Sequence, residues 1–134
     1  MRIMFGIGFA LLLAGAAAAQ PLVPPSYTQA QAARGEQAYM SNCASCHGDK
    51  LDNGGGDGAP NLVGPAFSQG WGAKPLSELY DYTSANMPAS SPASLSPQVY
   101  ADIVAFLLSK NGVTAGTAEL PPDDDRLKSM SGPH

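Results

Sequence analysis

A chain of 134 residues and 13.7 kDa, with 44% hydrophobic and 13% charged positions, can build one packed domain but not a multidomain enzyme. Its 7 basic and 11 acidic side chains give a charge of −4 with no Lys/Arg-rich run, which excludes nucleic acid and other polyanions as partners. Fifteen Gly and 12 Pro favour long loops between a few helices over a continuous bundle or sheet.

Met1 and Arg2 precede an apolar run from Ile3 to Ala19 that ends in three alanines before Gln20-Pro21. This is the pattern of a secretory signal peptide, residues 1–19, with cleavage expected after Ala19. Removing Arg2 with it takes the charge from −4 to −5, and the destination of such a chain is the periplasm. The alternative is an uncleaved anchor, and only in that case would the chain contact a membrane. Residues 20–27 read as an N-terminal extension.

Thr28-Gln29-Ala30-Gln31 is a capping-box pattern, followed by Ala32, Gly35 and Tyr39 at helical spacing, so a first helix is expected to run to about Asn42. It leads into Cys43-Ala44-Ser45-Cys46-His47, a C-x-x-C-H pentapeptide with the attachment spacing of c-type haem. Positions three apart share one face of a helical turn, so both thiols can reach the vinyl groups along one porphyrin edge. His47, next in the chain, can then turn its imidazole to the iron. Three other readings compete. A thioredoxin-like pair needs a βαβ context that the flanks lack; a zinc site needs four ligands, and beyond these three only His134 is available; a plain disulfide leaves His47 without a role.

Gly48 to Gly58 is too Gly-rich for a regular element and matches neither a phosphate loop nor, through Asp49, Asp52 and Asp57, a calcium loop. Leu62, after Ala59-Pro60-Asn61, is a candidate apolar contact for the haem face. Lys74-Pro75-Leu76 opens a short helix with Leu76, Leu79 and Tyr80 on one side, ending before Met87. Met87 is the candidate sixth ligand to iron, because Pro88 biases it toward extended loop backbone; ordinary core packing is its alternative role. Met40 is too close to His47 in sequence, and Met130 is expected to be solvated. Ser96 and Pro97 start the last helix, with Val99, Tyr100, Ile103, Phe106 and Leu107 as an apolar stripe and Lys110-Asn111-Gly112 as its stop. Gly35 is expected to let this helix approach the first, with Tyr39 and Phe106 as aromatic neighbours. Residues 113–134 show no periodicity and read as a flexible C-terminal tail, with Asp123-Asp124-Asp125 as a solvated acidic run.

From Gln29 to Gly112 the sequence resembles a class I cytochrome c. Gly35 and Tyr39, the pentapeptide, Pro60-Asn61-Leu62, Met87-Pro88 and Tyr100 to Leu108 fall in the family's order. Gly-Pro-Ala-Phe near Trp71, Leu-x-x-Leu-Tyr-Asp-Tyr and Asn-Met-Pro are similar to small periplasmic cytochromes that accept electrons from quinoprotein dehydrogenases. The resemblance implies an all-α fold of three to four helices and long loops, over 28–112, wrapped around one covalent haem c. It implies thioether links from Cys43 and Cys46, axial iron ligands His47 and Met87, a Pro60 carbonyl accepting from His47 Nδ1, and Trp71 near a propionate. It also implies a single-electron carrier without substrate turnover, whose partners are redox proteins: a donor dehydrogenase, and a terminal oxidase or another cytochrome. A haem subunit of a larger oxidoreductase is the alternative; a gas-binding or peroxidatic protein follows if Met87 is not a ligand. The chain departs from the family's basic mitochondrial carriers in having no lysine-rich face.

Overall fold

A computed structural model of the chain describes residues 20–52 and 58–134. The expected signal peptide, residues 1–19, lies outside the described residues, as does the middle of the Gly-rich loop. Among the described residues there are six helices and no strand beyond isolated bridges: α1 (Gln29–Asn42), α2 (Ala44–His47), α3 (Pro65–Trp71), α4 (Leu76–Asn86), α5 (Pro97–Lys110) and α6 (Asp124–Leu127). The all-α expectation holds, and the count exceeds three to four because α2 and α6 are single turns and α3 is only seven residues long.

The helix starts follow from local chemistry. Thr28 is extended and its hydroxyl accepts from the Gln31 amide at 3.1 Å, so one half of the expected capping box forms. Ser96 caps α5 in the same way through the Val99 amide, with Pro97 at the first helical position. α5 is the centre of the fold, with α1 and α4 packed against it, and every residue from Tyr100 to Leu108 is buried. It is therefore buried all round and not along one stripe.

Gly35 permits the α1–α5 crossing, since a Cβ there would lie 1.8 Å from the Asp102 carbonyl oxygen. Tyr39 and Phe106 meet beside it with ring centroids 5.3 Å apart. A fork of charge-assisted bonds closes the crossing: Arg34 Nε donates to Asp102 Oδ2 at 3.0 Å and Nη2 to Oδ1 at 3.2 Å, and Nη2 also reaches Glu119. These carboxylates raise the Arg34 pKa above its ordinary value.

The C-terminal segment corrects the expectation of a flexible tail. Leu120 and Leu127 are fully buried, and Pro133 is among the most enclosed side chains. The buried Gln31 amide accounts for the first of these: its Nε2 donates to the Leu120 carbonyl at 2.9 Å and its Oε1 accepts from the Leu120 amide at 2.7 Å. Gln31 thus pairs with the chain 89 residues away instead of completing the cap. Asp123 and Asp125 of the acidic run are exposed as expected, while Asp123 also caps α6 and Asp124 pairs with Lys128. Residues 129–132 then thread between the N-terminal extension and the start of α4. Val23 donates to Ser129, Ser131 donates back to Val23, and Leu76 donates to the Met130 carbonyl, each at 2.8 Å. Met130 is half-buried against the core and not solvated. Leu127→Ala in the holoprotein is expected to cost about 2 to 4 kcal/mol in denaturant unfolding; a solvated tail would give no change.

Candidate functional site

The turn after α1 sets the first side of the site. Cys43 leaves the helix with φ −127° and ψ −34°, and its carbonyl accepts from both Cys46 (3.1 Å) and His47 (2.9 Å). That tight turn carries Cys43, Cys46 and His47 into one cleft. The chain then exits through Gly48 at φ +79°, a conformation suited to glycine. The Gly48 carbonyl accepts from the buried Tyr39 hydroxyl at 2.7 Å. Burial first, then the nearby acidic groups, push the Tyr39 phenol up to about 12, so it stays a donor at any physiological pH.

His47 is only 7% exposed, and its Nδ1 lies 3.0 Å from the Pro60 carbonyl oxygen. A carbonyl can only accept, so this contact places the proton on Nδ1 and leaves the Nε2 lone pair free to bind a metal. The pairing of His47 with Pro60 that the resemblance implies is present in the geometry. Pro60 is positioned by a loop whose far side is tied down at Leu62: the Leu62 amide donates to Leu51 at 2.8 Å, and its carbonyl accepts from Asn111 Nδ2 at 2.9 Å.

Met87 reaches the same cleft from another element. α4 ends at Asn86, and Met87 is extended at φ −116° and ψ 152°, as its place before Pro88 predicts. Its carbonyl accepts from the buried Tyr100 hydroxyl at 2.7 Å, and that hydroxyl also receives the Leu95 amide at 3.3 Å. One phenol on α5 thus pins both ends of the loop 87–95.

All six expected site residues, Cys43, Cys46, His47, Pro60, Leu62 and Met87, line this one cleft of about 720 Å³. Its walls are mainly apolar, with Phe67, Leu79, Ile103 and Leu107 contributed by α3, α4 and α5. Trp71 lines it too, its ring 5.7 Å from that of Tyr82 and below the Lys74 ammonium. Three positioning residues escaped the sequence reading. Tyr100 reads as a stripe residue and Asn111 as a helix stop, yet both hold site loops through their polar ends. Gly132 packs so closely on the Trp71 carbonyl that a Cβ would come within 2.1 Å, so the C-terminal segment backs the Trp71 wall.

The competing uses of the cysteines fit this geometry poorly. Burial, reinforced by neighbouring Cys46, pushes the Cys43 thiol up to about 11, which leaves little thiolate for thiol–disulfide exchange. His134 is not in the cleft; its Nδ1 contacts the Gly132 carbonyl. Among the described residues no group of three or more His, Cys, Asp or Glu is arranged to hold a metal on side chains alone. Two thiols, an imidazole with a fixed tautomer and a thioether around one apolar cleft are instead a donor set for a metallated macrocycle.

The family model described as "Cytochrome C oxidase, cbb3-type, subunit III" matches residues 30–107. A search of curated proteins found no match. Among solved structures, the chain is similar to a chain of the sulfane dehydrogenase SoxCD from Paracoccus pantotrophus, with 26% identity and a TM-score of 0.53. That likeness covers 97% of this chain and 69% of the other.

Proposed function

The chain belongs to the cytochrome c family described as cbb3-type cytochrome c oxidase subunit III, and from that premise we propose that it is an exported monohaem carrier passing single electrons from a donor dehydrogenase to a respiratory acceptor. It is a class I c-type cytochrome: an electron-transfer haem protein with one covalent haem c. What supports the finer reading most is the convergence of Cys43, Cys46, His47 and Met87 on one cleft whose walls are apolar.

The residues fit the group. Cys43 and Cys46 would hold the group through thioethers, and His47 Nε2 and the Met87 sulfur would hold its iron. The haem supplies the Fe(III)/Fe(II) couple. Around it the chain's tasks are to hold and to exclude. Pro60 fixes the His47 ring and strengthens it as a donor by accepting the Nδ1 proton. Tyr100 fixes the Met87 backbone, so both ligands are held from the protein side with little rearrangement between oxidation states. Leu62, Phe67, Leu79 and Ile103 keep water from the cleft, and with thioether ligation this disfavours the extra positive charge of the ferric state.

The donor in this reading is a quinoprotein or similar dehydrogenase and the location is the periplasm, both resting on the sequence. The likeness to a sulfane dehydrogenase chain favours a second reading, a fixed haem subunit of an oxidoreductase. Co-purification of a partner through high-salt washes separates the fixed subunit from the diffusible carrier.

Met87→Ala tests the ligand set. The variant is expected to keep its haem, to lose the weak far-red methionine–iron band of the ferric protein, to bind carbon monoxide rapidly when ferrous and to have a lower potential. An unchanged spectrum would remove Met87 from the iron.

A further inference from the structure

Trp71 is the chain's one tryptophan and the last residue of α3. It lines the cleft half-buried, in contact with the Tyr82 ring and beneath the Lys74 ammonium. α3 has only seven residues, and a helix so short holds its own last turn weakly. What fixes Trp71 has to come from elsewhere in the chain.

It comes from behind the wall. Gly132 lies so close that a Cβ there would be 2.1 Å from the Trp71 carbonyl oxygen, 2.8 Å from its carbon and 3.4 Å from Gly72 Cα. Gly72 is crowded in return, since a Cβ on it would lie 2.7 Å from the Pro133 carbonyl oxygen and 3.0 Å from His134 Cβ. Two buried glycines thus bring two stretches of backbone into contact. Hydrogen bonds set their register. The Lys74 amide donates to the Trp71 carbonyl at 3.1 Å, the Gly132 amide to the Lys74 carbonyl at 2.9 Å, and the Leu76 amide to the Met130 carbonyl at 2.8 Å. The other flank of the segment is held by Val23, which donates to Ser129 and accepts from Ser131. None of residues 129–134 lines the cleft, and both they and Val23 lie outside the stretch 30–107 that the family model matches.

Resting on the haem reading above, we propose that residues 129–134 are a positioning strap, which holds the Trp71 backbone from behind and so sets the ring in the cleft wall and the potential of the group the cleft holds. The physical link is water. A wall ring that shifts outward admits solvent, solvent stabilises the extra charge of the ferric state, and the potential falls. A segment that only added stability would leave the potential of the folded protein where it was.

Gly132→Ala holoprotein, followed by spectroelectrochemical titration and by Trp71 emission, tests the strap. The variant is expected to keep its haem and to have a lower potential, equivalent to about a threefold or larger rise in the ferric-to-ferrous ratio at fixed applied potential. Trp71 emission is expected to rise as the ring leaves the haem that quenches it. Leu120→Ala controls for stability alone: Leu120 is fully buried in the C-terminal segment, but it is tied to Gln31 and does not line the cleft. It is expected to lower the unfolding midpoint without moving either signal. Should Gly132→Ala fail to accumulate, Val23→Pro removes the amide that holds Ser129 and leaves the contact with Trp71 untouched; the same two signals are expected to move the same way by less. Holoprotein variants at the strap with unchanged potential and emission, or equal changes in Leu120→Ala, would overturn the strap and leave the haem reading intact. Native exported protein without haem would instead overturn the haem reading.

Discussion

Replacing Cys43 and Cys46 together with alanine is expected to yield exported protein from which acid–acetone removes all haem. The turn that presents both side chains is held by backbone bonds to the Cys43 carbonyl, so the substitution leaves the local geometry and removes only the two sulfurs. The consequence extends past attachment. The cleft of about 720 Å³ is lined by residues of α1 to α5 with mainly apolar walls, and without a held macrocycle those walls face water. Helical circular dichroism of the double variant is therefore expected to fall well below that of the native holoprotein. Colour that remains with the precipitated variant would mean that the haem is attached elsewhere.

Gly35→Ala is expected to destabilise the holoprotein by about 3 kcal/mol or more. The added Cβ would meet the Asp102 carbonyl oxygen at 1.8 Å and its carbon at 2.5 Å, and both belong to the α5 backbone. Backbone cannot turn aside as a long side chain can, so the two helices must separate. α5 also carries the Tyr100 hydroxyl that fixes Met87, and it ends at Asn111, which ties Leu62, so the shift reaches the site. The methionine–iron band should weaken along with stability. Gly70→Ala is the matched control: nothing lies within 4 Å of its added Cβ, and it is expected to be neutral or stabilising by about 0.5 kcal/mol. Equal unfolding midpoints for the two variants would contradict the close crossing.

The parts of the fold that were legible in the sequence are those with short-range signals. Thr28 and the Ser96-Pro97 pair mark the starts of α1 and α5, and the pentapeptide with Met87-Pro88 marks the cleft. α3 was not legible, because seven residues containing Pro65 and Gly70 give too few turns for a periodic pattern. The C-terminal segment was hidden for a different reason. Leu120 and Leu127 are isolated apolar residues in a polar stretch, and the segment is held by distant positions: Gln31 at Leu120, Val23 at Met130 and Pro75 at Ser131. Tyr100 shows the same limit at the site: as one apolar position among several on α5 it reads as core, while its hydroxyl does the positioning that no spacing rule reveals.

The intact mass of exported protein under denaturing conditions tests the central claim most directly. The account predicts one species, equal to the chain from Gln20 to His134 plus one haem, with no haem-free form after removal of non-covalent material. A folded product at the mass of the polypeptide alone, or with Cys43 and Cys46 oxidised to each other, would contradict it.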